Sequence, residues 1–95
     1  MAGYVVAEIE VIDPAIYEVY RQQVRMLVTK HGGTFIVRGG QVDALEGGCA
    51  PKRLVVIEFP SMQQAQKWYH SPEYAPLIKL RQKAAKSKII IVEGV

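Results

Sequence analysis

Ninety-five residues with 49% hydrophobic and 22% charged side chains make one globular domain, residues 1–95, and exclude a disordered chain. The single cysteine, Cys49, excludes an internal disulfide and a multi-cysteine metal site. The net charge of +3 is mildly basic. Its one cluster, Lys79, Arg81, Lys83, Lys86 and Lys88, suits a solvated helix face, so no nucleic-acid partner is expected.

Residues 4–12 alternate, with Val5, Ala7, Ile9 and Val11 pointing one way and Tyr4, Val6, Glu8 and Glu10 the other, which predicts a strand with two distinct faces. Asp13-Pro14 is a helix start, with Asp as N-cap and Pro at the first helical position. The helix is expected to reach about His31, burying Ile16, Val19, Tyr20, Gln23, Val24, Leu27 and Val28. Residues 34–38 read as a second strand. Gly39-Gly40 interrupts it, and residues 41–46 are expected to continue it after a bulge. Residues 53–59 form the most apolar strand and are expected to be central in the sheet.

Ser61 with Gln64 has capping-box spacing for a second helix, whose buried stripe is Met62, Ala65, Trp68 and Tyr69. Ser71-Pro72 repeats the cap-then-proline signal, so a break and a new helical segment follow. Residues 88–93 form the last strand. No cleavable leader pattern and no apolar run of about 18 residues is present, which predicts a cytoplasmic protein with no membrane span.

Strand, helix, strand, strand, broken helix, strand is the order of a ferredoxin-like βαββαβ domain of the α+β class. Its four-stranded antiparallel-type sheet would place the fourth, first, third and second strands side by side, with the helices on one face. The covered face takes Val5, Ala7, Ile9, Val55, Ile57, Phe59, Phe35 and Val37. The other is expected to carry Tyr4, Val6, Glu8, Glu10, Ile36, Arg38, Leu54, Val56, Glu58, Ile89, Ile91 and Glu93. So many aliphatic side chains left in water predict a homodimer through this open face.

On that face a cross-strand Glu58–Arg38 pair is expected, with Glu8 nearby. It reads either as an ion pair inside a dimer or as a general base beside a cationic anchor. Tyr20, Trp68, Tyr69 and Tyr74, with Arg38, Arg53, Glu58 and Arg81, could wall a cleft between helices and sheet for a small anionic ligand. Arg81 falls on the apolar stripe of its helix, where a charge is unexpected. His31 and His70 lie far apart with no metal-ligand spacing, so no metal is predicted, and no cofactor.

Gly32-Gly33, Arg38-Gly39-Gly40, Glu46-Gly47, the run from Val55 to Ser61 and the run from Trp68 to Tyr74 together resemble the family catalogued as domain of unknown function 1330. The resemblance spans Tyr4 to about Glu93. It implies a dimeric α+β barrel, in which two ferredoxin-like sheets face each other. The wider superfamily includes cofactor-free oxygenases, haem-degrading enzymes, isomerases and binding proteins, and fold does not choose among them. The first strand carries Glu8 and Glu10 in place of the Asn that the haem-degrading pattern wants. Two functions remain open: a ligand-binding homodimer, and a cofactor-free oxygenase or isomerase with Glu58 as base and Arg38 or Arg81 holding a carboxylate or enolate.

Overall fold

The computed structural model describes residues 1–95 as β1 (Gly3–Val11), α1 (Pro14–Lys30), β2 (Thr34–Arg38), β3 (Arg53–Phe59), α2 (Met62–Tyr69), α3 (Ala75–Ala84) and β4 (Ala85–Glu93). All three strand pairings are antiparallel, in the order β2-β3-β1-β4. This is the ferredoxin-like order, and β3 is central as its apolar run requires. The backbone spans 35 × 34 × 16 Å. That thickness holds one sheet and one helix layer, leaving the second sheet face uncovered.

The helix ends follow from their caps. The Asp13 carboxylate accepts hydrogen bonds from the Ala15 and Ile16 amides, satisfying two of the orphan donors of the first turn. Ser61 accepts from the Gln64 amide. The return half of the capping box is absent, because the Gln64 side chain donates to the His31 carbonyl instead and ties α2 to the end of α1. Between α2 and α3, the Ser71 hydroxyl donates to the Trp68 carbonyl and accepts from the Tyr74 amide. This tight turn stacks Trp68 on Tyr74, with ring centroids 4.4 Å apart.

The core joins the β1 and β3 residues Val5, Ala7, Ile9, Val55, Ile57 and Phe59 to one side of each helix. In α1 the buried stripe is Tyr17, Tyr20, Val24, Leu27 and Val28, while Val19 is 47% exposed. The stripe is thus rotated from the expected one, and Tyr17 takes the place given to Val19.

Four expectations about the strands are corrected. Residues 41–46 do not continue β2; the chain is irregular from Gly39 to Lys52. β4 begins at Ala85, three residues early, because pairing with β1 runs on through Val11 opposite Ala85. Its faces are also exchanged. Ile89 and Ile91 stand opposite Ala7 and Val5 and pack on the core, while Ile90 and Val92 reach the open face, 53% and 46% exposed. Residues 89–92 are apolar at every position, so alternation contains no sign of which face is inward.

The fourth correction decides the site. Thr34 and Phe35 stand opposite Glu58 and Ile57, but Val37 stands opposite Val56 and Arg38 opposite Val55. One extra residue, Ile36, sits in β2 as a bulge. It exchanges the faces of everything after it. Val37 turns to the open face and Arg38 to the helix-covered face.

Candidate functional site

The bulge separates the two residues expected to pair. Glu58 stays on the open face, where its carboxylate accepts a 3.0 Å hydrogen bond from the Tyr4 hydroxyl. That bond raises the Tyr4 pKa. Glu8 shares this face, but its β3 neighbour is Leu54. Four residues along the strand put it about 13 Å from Glu58. Glu8 and Glu10 stand opposite Lys88 and Lys86 of β4. The Glu58–Arg38 pair does not form, so neither reading of it stands in that geometry.

Arg38 instead borders a cavity between the helices and the sheet. Tyr20, Arg53, Trp68, Tyr74 and Arg81 line it with Arg38, joined by Tyr17, Arg21 and Phe35. Six of the eight residues expected to wall a cleft are therefore brought together, and Glu58 is left outside on the open face. Tyr69 is not among them: it packs edge-on against Trp68 and Tyr74 from the outer side. Tyr17 and Arg21 escape sequence reasoning because α1 is rotated about its axis; the Tyr17–Tyr20 spacing of three was the available signal.

The local structure explains how each arginine enters. Arg53 opens β3 opposite Ile9, on the inward side of the pleat. Gly39 has φ +74°, a conformation that favours glycine, and the Arg53 guanidinium packs where a β-carbon would stand. The Arg38 guanidinium lies 4.3 Å from the Phe35 ring centroid and donates to the Arg21 carbonyl. Arg81 faces inward from the last turn of α3 and is only 3% exposed.

The electrostatics are one-sided. Four arginines line the cavity and no aspartate or glutamate does. The two ion pairs of the molecule, Arg21–Glu18 and Lys30–Glu73, are both on the surface. Burial first, then the nearby Arg21, Arg25 and Arg53, lower the Arg38 pKa. The buried side-chain polar atoms without a hydrogen-bond partner are Arg53 Nε, Trp68 Nε1, Arg81 Nε and Arg81 Nη1. All four are donors, and all belong to cavity-lining residues. Each unpartnered buried donor costs about 1–3 kcal/mol.

The cavity's hydroxyls are already paired with each other, Tyr20 to Tyr74 at 2.8 Å. Burial, and then the neighbouring Tyr74, push the Tyr20 phenol far above its usual value of 10. Burial also raises Tyr74, against the opposing pull of Arg81. A phenol held neutral by folding stabilises the fold fully below pH 10, and that contribution is lost as the pH climbs above it. The expected alkaline titration has two phases. The accessible phenols ionise in the folded protein, and Tyr20 and Tyr74 ionise together with unfolding. A single phase preceding any loss of tertiary signal would contradict this.

The cavity volume is about 30 Å³, the liquid share of roughly one water molecule. A larger guest enters only by moving side chains at the mouth, where Arg21, Arg38 and Arg53 are half-buried. No group of three or more His, Cys, Asp or Glu lies close enough to hold a metal ion, and no helix is long and apolar enough to cross a membrane.

The family model for a domain of unknown function (DUF1330) matches residues 2–95. The chain belongs to this family. No curated protein matches the sequence. Among solved structures, a protein of unknown function from Rhodopseudomonas palustris superposes with a TM-score of 0.75 at 18% identity, over 99% of this chain and 82% of that one. SnoaB, a cofactor-independent oxygenase from Streptomyces nogalater, gives 0.69 at 14% identity over 99% and 93%. A conserved protein from Methanosarcina mazei Go1 gives 0.59 at 18% identity over 100% and 94%. At these identities the likeness is one of fold, a ferredoxin-like α+β domain with a four-stranded antiparallel sheet.

Proposed function

We propose that this member of the family is a binding protein whose cavity between helices and sheet takes a small organic anion. The observation that carries the reading is the buried Arg81, with two N–H donors unpartnered in a cavity that has no carboxylate. A packing core has no use for such a group, whereas a carboxylate or enolate oxygen supplies the missing acceptor and the missing charge. Aromatic walls with a few convergent polar groups are the usual make-up of such a seat.

The rival reading is a cofactor-free oxygenase or isomerase with Glu58 as base, and the fold shared with the Streptomyces oxygenase favours it. Glu58, however, faces away from the cavity, whose lining contains neither carboxylate nor imidazole. Small carboxylates are expected to raise the melting temperature and to move the indole N–H resonance of Trp68, the one tryptophan. Glu58→Gln should leave both responses intact. Carboxylates that move neither would overturn the binding reading, and loss of the response in Glu58→Gln would favour the rival.

The binding unit proposed is a homodimer formed through the open sheet face. Val6, Val37, Leu54, Val56, Ile90 and Val92 share that face, and no helix covers them. A second copy of the same face would bury them, as a lone domain of this size rarely leaves such a patch in water. Light scattering at micromolar concentration should give twice the chain mass of 10.6 kDa, and Val56→Glu should return it to the single mass. A wild-type chain that scatters only as the single mass would contradict the dimer.

A further inference from the structure

We propose that the cavity's ligand carries two anionic groups on one apolar body, one seated at Arg81 and the other at Arg38 and Arg53. This rests on the binding reading above and names the class of ligand. Arg38 and Arg53 stand on β2 and β3, at one side of the sheet. Arg81 stands on α3 next to Ala85, Ser87 and Ile89 of β4, which is the opposite edge strand. With strands about 4.8 Å apart, β2 and β3 lie roughly 10–14 Å from β4 across the sheet.

Each end keeps at least one unmet donor. Arg53 Nε is orphaned at one end, and Arg81 Nε and Nη1 at the other. A single carboxylate seated at Arg81 Nε and Nη1 leaves the Arg53 Nε donor to be met by a second group. The wall between them includes Tyr17, Tyr20, Trp68 and Tyr74, which suits an apolar and preferably flat body. Trp68 Nε1 is an additional unpartnered donor in that stretch. The crowding of Arg38 by Arg21, Arg25 and Arg53, with Glu18 engaged with Arg21 on the surface, makes the mouth a separate anion seat. To admit the ligand, Arg38 and Arg53 swing outward, a side-chain change of the ordinary kind on binding.

Three molecules of one shape test this: 4-carboxycinnamate with two charges, cinnamate with one, and cinnamamide with none. Calorimetric titration of the full chain should rank them in that order, with the dianion tighter than the monoanion by roughly tenfold, the value of one added charge-assisted contact. Arg38→Met should erase the difference between the two anions. Arg81→Met should weaken both, with Arg81→Gln probing the same contact if the first variant does not fold. Equal affinity for the two anions, or an Arg38→Met variant that still tells them apart, overturns the two-ended seat and leaves the binding reading standing. If cinnamamide binds as well as the anions, or none of the three binds, the anion seat itself fails and the inference with it.

Discussion

Arg81→Met should raise the stability of the ligand-free protein by about 1–3 kcal/mol. A buried guanidinium is costly when its donors go unmet, and Arg81 has two unmet donors at 3% exposure. Methionine keeps an unbranched stem of similar reach, fills irregular space well, and brings no charge. For a domain of this size, each kcal/mol moves the melting temperature by roughly 4–8 °C, so the change is easily read in a thermal scan. The sign is the decisive part. If Arg81 belonged to a satisfied structural network, its removal would instead cost about 3–5 kcal/mol. Stability gained together with anion affinity lost is the pattern expected of a residue kept for function.

Trp68→Ala should destabilise the fold by about 3–5 kcal/mol, the usual loss for truncating a buried aromatic side chain. Trp68 is 1% exposed and packs between Phe59 and Tyr74, with Tyr69 at its edge. Against a total of about 5–15 kcal/mol for a small domain, this leaves the chain close to unfolding at moderate temperature. Trp68→Phe keeps most of the packing and removes the orphaned indole donor, so its loss should be much smaller. Denaturant titration of the two variants separates the packing role from the polar one. Similar losses in both would mean that the indole N–H has a partner in solution, contrary to its place in the cavity.

The two variants act on the same cavity in opposite directions, which is informative about its design. On these expectations Trp68 stabilises the domain and Arg81 does not. The positive charge concentrated there has no structural counterpart among the acids, which stand on the open sheet face or on the surface. An anionic guest would supply the charge that the chain itself omits.

Much of this was legible in the residues. Asp13-Pro14, Ser61 and Ser71 mark helix boundaries because capping is local chemistry between a side chain and amides two or three residues away. Alternation in β1 and β3 separates core from open face because those strands mix polar and apolar positions. The cleft residues Tyr20, Trp68, Tyr74, Arg53 and Arg81 could be gathered because they lie on inward stripes of elements whose order dictates a ferredoxin-like sheet.

Three matters were decided only by tertiary structure. The faces of β4 depend on pairing with β1, since residues 89–92 carry no alternation. The rotation of α1, which brings in Tyr17 and Arg21, depends on how the helix beds onto the sheet. The side of Arg38 depends on one bulged residue. Counting by twos from Thr34 sends Arg38 to the open face beside Glu58. The glycines that suggest an irregularity, Gly39 and Gly40, come after Arg38, too late to change its side. The bulge sits at Ile36, a residue with no turn chemistry, and it exists because β2 must pair with β3 at both of its ends. A single unpaired residue thus moves a cation from the open face beside Glu58 to the lining of the cavity.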